Sequence, residues 1–472
     1  MVTVSEHVPR TRRNVELLLL VIAVGISMGA YGLVEVATSG TWPPQFLLYG
    51  GGFAVLALVV HLTLRFRAAY ADPTLLPIAV AINGLGLAMI HRIDLARVDQ
   101  EGYSPLAPKQ LMWAAIGVTL ATAVLWVLRD HRMLRRYTFT AMVAGLVLLA
   151  LPMVPGLGKQ INGARIWIGL GGLSFQPGEL AKITLTVFFA GYLVTQRDNL
   201  SLAGKKLLGM QLPRGRDLGP ILIAWMASVG VLVIERDLGT SLLFFGVFVA
   251  MLYVATERIS WIVIGLGLFA AGAYIAWTLF THVQGRVSAW LHPFDQSVYD
   301  ADFGGSYQLV QGLFGMAHGG LVGTGLGQGR PTIVPYAESD FIVAAIGEEL
   351  GMAGLFALFC LYMVLVQRGM RTAIGVRDGF GKLLAAGLAF AIALQCFVVV
   401  GGVTRIIPLT GLTMPLLAYG GSSLVSNWII VGLLLRISDA ARRPAPLVPA
   451  EPVDSSATQV VRLGPRSQET GL

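Results

Sequence analysis

Hydrophobic residues run along this chain in long stretches, separated by short clusters of charge, glycine and proline. A window of about 19 residues, the length that crosses a bilayer as a helix, finds twelve such stretches. They cover residues 15–36, 46–64, 74–90, 110–128, 138–154, 180–195, 218–234, 238–255, 259–281, 341–366, 380–402 and 415–436. Backbone in hydrocarbon must satisfy its own hydrogen bonds, so each stretch is predicted to be a helix. None shows the ten-residue alternation of a membrane barrel strand. The expected fold class is all-α: a polytopic membrane helix bundle of about twelve transmembrane helices.

Composition agrees. Of 472 residues, 55% are hydrophobic and 13% charged, against about 25% charged in an ordinary soluble domain. The net charge of +8 is spread over short loops, which excludes a single nucleic-acid-binding patch. With the N-terminus placed in the cytoplasm, 24 of the 34 Lys and Arg residues fall on the cytoplasmic side and nine opposite, with Lys182 inside a span. That asymmetry follows the positive-inside rule and puts both termini in the cytoplasm. Arg10, Arg12 and Arg13 ahead of the Leu17–Ala23 run suit an uncleaved anchor. The Pro/Ser/Ala-rich tail reads as disordered. Cys360 and Cys396, both in apolar runs, exclude a disulfide scaffold, and the scattered histidines form no His-x-x-x-His pair.

Polar residues at membrane depth and long translocated loops carry function in such proteins. Three outer-side regions qualify. In KQINGARIWIGLGGLSFQPGELAK (159–182), Asn162 and Gly163 suit a turn, and Arg165 and Trp167 alternate with apolar residues as in a short amphipathic structure at the interface. Gln176, Glu179 and Lys182 then share one side of a helix starting near Pro177. Spacing alone fits a structural ion pair as well as the wall of a polar cavity. The second region is the outer loop, 282–340, with Arg286, Asp295, Asp300, Asp302, Arg330, Glu338 and Asp340. Its GGLVGTGLGQGR stretch (319–330) follows no strand, so tight turns are favoured over a phosphate cradle. In the third, VTRIIPLTGLTMPLLAYGGSS (403–423), Arg405 is a lone cation, and Pro408, Gly411 and Pro415 break the helix. Gly420, Gly421, Ser422 and Ser423 suit close helix packing. Glu235, Arg236 and Asp237 sit in a tight outer turn, where they pair internally or rim the cavity. These residues suit a membrane protein that handles an anionic lipid at the outer leaflet, by catalysis or by transport.

The blocks NGARIWI…FQPGELAK (162–182), SDFIVAAIGEELGMAG (339–354) and IPLTGLTMPLLAYGGSS (407–423), in that order, resemble the signatures of the SEDS family, the FtsW/RodA-like cell-wall polymerases. The resemblance covers about 74–438 and leans to the RodA-like branch. It implies a ten-helix core (74–438) behind a cytoplasmic N-terminus (1–14) and two additional spans (15–73), with a disordered cytoplasmic tail (439–472). It further implies an inverting peptidoglycan glycosyltransferase of the bacterial cytoplasmic membrane that polymerises lipid II for cell-wall elongation and cell shape. The implied partner is a class B penicillin-binding protein. By family pattern the catalytic aspartate lies just before Tyr307-Gln308: Asp302 matches first and Asp300 second, with Asp295 behind them. Arg165, Gln176, Glu179, Lys182, Arg286, Arg405, Ser422 and Ser423 are the candidate substrate-binding residues. A divalent cation, magnesium or manganese, could assist at the pyrophosphate. A lipid II flippase would use the same cations without a base in the outer loop. A scaffold for the penicillin-binding protein would need no buried cations.

Overall fold

The computed structural model describes residues 11–161, 164–170, 173–201, 206, 207, 210, 211, 226, 230, 237–301 and 304–444. Among them, eleven helices are long and apolar enough to cross a membrane. These comprise α1 (Arg13–Ser39), α2 (Phe46–Arg67), α3 (Leu75–Arg97), α4 (Ala107–Val127) and α5 (Thr138–Ala150), the last extended by short 3-10 turns. There follow α6 (Gly178–Ser201), α7 (Leu238–Thr256) and α8 (Ser260–Leu279). After the short outer helices α9 (Thr281–Leu291), α10 (Gln296–Tyr299) and α11 (Tyr307–Gly319), the chain ends with α12 (Ile342–Gly375), α13 (Gly379–Val403) and α14 (Gly421–Arg442). Each matches an expected span. Most of the remaining expected span, 218–234, lies outside the described residues, as do Asn162, Gly163, Glu235, Arg236, Asp302 and the tail from 445.

Helices α3, α6, α13 and α14 form the buried centre, and α8 leaves most of its surface facing outward. Small residues let α14 sit deep: a Cβ on Gly421 would lie 2.2 Å from the Trp113 ring of α4, so no larger residue fits there. Close backbone approach of this kind replaces the hydrophobic effect as the means of packing helices in lipid.

Two differences from the sequence expectation have local causes. The alternation through Arg165 and Ile168 forms a three-stranded antiparallel sheet, β1 (Gly158–Ile161), β2 (Ala164–Leu170) and β3 (Leu173–Phe175), within an otherwise helical fold. Its period of two places Arg165 outward and Ile168 inward. The helix α14 also runs through residues expected in the tail, because Asp439 accepts a 2.9 Å bond from the Tyr70 backbone N–H and anchors the last turn.

The glycine-rich loop is a structural splice. Helix α12 breaks at Gly351, whose φ of 65° is left-handed. The loop fits into this break: the N–H groups of Met352 and Ala353 donate to Gly320 and Leu321 (2.9 and 3.0 Å). In return, the N–H groups of Thr324 and Gly325 donate to the carbonyls of Glu348 and Glu349 (3.0 and 2.9 Å). The Glu349 carboxylate takes the Gly327 N–H and the guanidinium of Arg92, each at 2.8 Å. These amides are used within the fold, as the tight-turn reading requires.

The segment 404–420 between α13 and α14 is non-helical and buried mainly over 412–418, with Leu416 held at a φ of 63°. Side chains from other elements satisfy its backbone. Asn83 donates to the Leu416 carbonyl (3.1 Å), Gln110 to Ala418 (2.9 Å) and Gln395 to Thr413 (2.9 Å). The Tyr362 hydroxyl donates to Pro415, and Arg286 to Leu409 and Thr410 (3.1 and 2.8 Å). Removing a donor leaves a buried carbonyl unmet, at a cost of about 1–3 kcal/mol. Asn83→Leu and Gln110→Leu are each expected to lower the unfolding temperature of the purified protein, measured by thermal denaturation in detergent. Unchanged temperatures in both would contradict this role.

Candidate functional site

The outer ends of α6, α13 and α14 bring together a deep polar cluster. Pro177 precedes α6, and its first turns carry Glu179 and Lys182 on one side. The Lys182 ammonium, 3% exposed, donates to Glu179 Oε2 and to Gln395 Oε1, both at 2.9 Å. The Ser426 hydroxyl donates to the same Glu179 oxygen (3.1 Å). The ion pair is thus real, and it is also part of a buried network joining three helices. The structural ion pair is the reading that these contacts bear on.

A second cluster lies above it. The Gln176 backbone N–H donates to Ser422 Oγ (2.7 Å), and its side-chain amide donates to Asp237 Oδ2 (3.2 Å). Asp237 caps α7, accepting from the Thr240 N–H and hydroxyl (3.0 and 2.6 Å). Arg286 on α9 reaches this level through its bonds to the 409–410 carbonyls. A Cβ placed on Gly411 would be in ordinary contact, 3.7 Å, with both Arg286 Nη2 and Asp340 Oδ2, so both charged groups flank this point, and the φ of 79° is what favours glycine there. Burial lowers the Arg286 pKa, while Asp237 and Asp340 pull it back up. Burial likewise raises the pKa of Asp237, against the Thr240 bonds and Arg286. It lifts Asp340 to about 6.

Gln176, Glu179, Lys182, Arg286 and Ser422 therefore converge from the three sequence regions, and Ser423, which accepts from Asn427 Nδ2 (3.2 Å), packs one residue further along α14. Other candidates have different placements. Arg405 donates to the carbonyls of Trp290 and Leu291 (2.8 and 3.1 Å), closing the C-terminal end of α9. Its charge serves helix-end capping. Arg165 stands exposed on β2. Asp300 is exposed and accepts from Gln296, while Asp295 is 65% exposed, 4.0 Å from His292. Asp302 lies outside the described residues.

Gln395 was missed by the sequence reading, although a lone amide in an apolar span is the kind of signal that marks membrane-depth function. Asp340 was visible as a loop acid without a role. Among the described residues no group of three or more His, Cys, Asp or Glu side chains is placed to hold a metal ion. Asp237 and Asp340, the acids of the upper cluster, instead flank Arg286.

The model of the FtsW/RodA/SpoVE cell cycle proteins matches residues 73–443. The chain is 50% identical over 466 residues to the peptidoglycan glycosyltransferase RodA of Mycobacterium tuberculosis, covering 98% of each chain. It is 49% identical over 464 residues to RodA of Mycobacterium leprae, again covering 98% of each. Among solved structures, it is similar to a chain of a peptidoglycan synthase complex that coordinates polymerisation and crosslinking, with a TM-score of 0.62 and 27% identity, covering 79% of this chain and 98% of that one. It is also similar to the rod shape determining protein RodA of Thermus thermophilus, with a TM-score of 0.54 and 26% identity over 78% and 96% of the two chains. The protein belongs to the FtsW/RodA/SpoVE family of cell cycle proteins, on its RodA branch.

Proposed function

We propose that this protein polymerises lipid II at the outer face of the cytoplasmic membrane, with Lys182 and Arg286 receiving the substrate's pyrophosphate. The chain is a multi-pass membrane peptidoglycan glycosyltransferase of cell-wall synthesis, and its near-full-length likeness to RodA proteins carries that assignment. The observation that carries the site is the buried Lys182 with the half-buried Arg286 at the same end of the bundle. Lys182 lies four residues into α6, roughly 6 Å along the helix. Both cations are partly withdrawn from water, where charge stabilisation of a leaving group is strongest.

The reaction is a displacement at the anomeric carbon. A carboxylate in the outer loop takes the proton from the 4-hydroxyl of the acceptor N-acetylglucosamine. That oxygen bonds to the anomeric carbon of the donor muramyl unit as the bond to the polyprenyl pyrophosphate breaks. The pyrophosphate leaves with the electron pair, and the configuration inverts. Asp302 is our first assignment for the base and Asp300 the second. Both termini are cytoplasmic in this arrangement. The structural likeness to a peptidoglycan synthase complex supports work within such an assembly, and a class B penicillin-binding protein is the partner we assign. A flippase would use the same cations but would need no base in the outer loop, so loss of polymerisation with lipid II binding retained separates the two readings.

Removing a general base costs about 10²–10⁴-fold in rate. In polymerisation assays on labelled lipid II with the cognate transpeptidase, Asp302→Asn is expected to lose activity on that scale while binding lipid II as wild type does. Asp300→Asn is expected to stay within a few-fold of wild type. Loss in Asp300→Asn alone would move the base, and loss in neither would remove it from this stretch.

Asp340 supplies a pH signature. Its folded pKa of about 6 lies above the ordinary 3.8 because burial disfavours the charge. The ionised form therefore costs stability above about pH 6, and the cost fades as pH falls toward the unfolded value. Asp340→Asn is expected to raise the unfolding temperature by about 2 °C near neutral pH, with the gain shrinking steadily below pH 6. A less stable variant at neutral pH would mean that the attraction of Arg286 outweighs the burial.

A further inference from the structure

At the end of the bundle opposite the catalytic cluster, α1 and α2 meet the core around a recess of about 640 Å³. Arg12, Arg13, Arg65, Arg368 and Arg442 line it. Among the described residues three carboxylates answer them: Glu16, Asp72 and Asp439. Glu16 pairs with Arg13, and Asp72 binds Arg442 and stands 3.8 Å from Arg368. Asp439 is shared with Arg436 and Arg443 (3.6 and 2.7 Å), so seven arginines against three carboxylates leave four positive charges, and among the described residues Arg12 and Arg65 have no acidic partner. Arg12, Arg368 and Arg371 all lie close enough to Arg442 to repel it.

Topology alone asks for cations on this side, but it does not ask for a concave site. The 27-residue helix α1 begins here without a side-chain cap, and its first-turn residues line the recess. The first N–H groups of a helix are unpaired and carry partial positive charge, a ready anion site. Thr74, which starts α3 without a side-chain cap, lines it too. Arg13 is 5% exposed, and its Nε is buried without a partner. One turn deeper, Leu18 on α1 and Leu62 on α2 expose 62% and 43% of their surfaces. The occupant that fits is therefore amphipathic, with an anionic head in the recess and apolar chains along α1 and α2.

We propose that this recess binds an anionic phospholipid of the cytoplasmic leaflet, of the class with two phosphates in its headgroup. Two phosphates match the uncompensated charge better than a single phosphodiester. Basic pockets between helices on this side of a membrane are suited to such headgroups. The bound lipid bridges the first two helices to α3, α12 and α14.

The test titrates the full-length purified protein with tetraoleoyl cardiolipin, dioleoyl phosphatidylglycerol and dioleoyl phosphatidylcholine, reading bound lipid by native mass spectrometry. Arg12→Gln/Arg65→Gln removes the two unpaired cations, both exposed. Arg135→Gln/Arg136→Gln removes two exposed charges elsewhere on the same side as the control. At about 1 kcal/mol per basic residue, the recess variant is expected to bind cardiolipin at least roughly tenfold more weakly. The control should match wild type, and phosphatidylglycerol should bind more weakly than cardiolipin throughout. Equal losses in the two variants would reduce the site to general surface charge and overturn the proposal. So would displacement of the lipid by equimolar inorganic pyrophosphate, which would make the ligand a free anion.

Discussion

A buried backbone that leaves the helix must find hydrogen-bond partners, and the segment 404–420 imposes that requirement on the whole bundle. Its carbonyls draw Asn83 from α3, Gln110 from α4, Tyr362 from α12, Gln395 from α13 and Arg286 from the outer loop. Polar side chains placed this deep are costly unless hydrogen-bonded, and Asn83 leaves its own Oδ1 unmet. They persist because each meets a carbonyl that no regular helix would leave free.

The same groups build the site. Gln395 gives its amide N–H to Thr413 and its oxygen to Lys182, so the residue that supports the break also orients the buried cation. Arg286 likewise binds the 409–410 carbonyls with one nitrogen and leaves another beside Gly411 and Asp340. Structure and chemistry share atoms here, which is why single substitutions at Gln395 or Arg286 would confound stability with activity. The splice between α12 and the glycine-rich loop repeats the device on a smaller scale: the kink frees backbone groups, and the loop returns to meet them.

Much of this was legible in the sequence. Long apolar runs fix helices because lipid permits little else, and Pro408, Gly411 and Pro415 announced the break between the last two. The Gln176, Glu179 and Lys182 spacing put the Glu179–Lys182 pair on one side of α6. What stayed hidden depended on long-range geometry. Nothing local says that Arg405 will cap α9, or that the 158–175 stretch will pair as strands. Gln395 lay in plain view but in a span read for its hydrophobicity, and its meaning comes from Thr413 and Lys182, distant partners in sequence or in kind. Asp340 became informative only when the fold set it beside Arg286.

The central claim is that the deep cluster receives the pyrophosphate of the lipid substrate. The direct measurement is the affinity of undecaprenyl pyrophosphate for wild type and for the paired variant Glu179→Gln/Lys182→Met in detergent, with folding confirmed by thermal denaturation. Removing both charges leaves no unpaired buried ion, so the fold is spared the penalty of a single substitution. The account expects affinity to fall at least roughly tenfold, the scale of one lost charge-assisted contact. Affinity within twofold of wild type in a folded variant would contradict it and return Glu179 and Lys182 to a purely structural role.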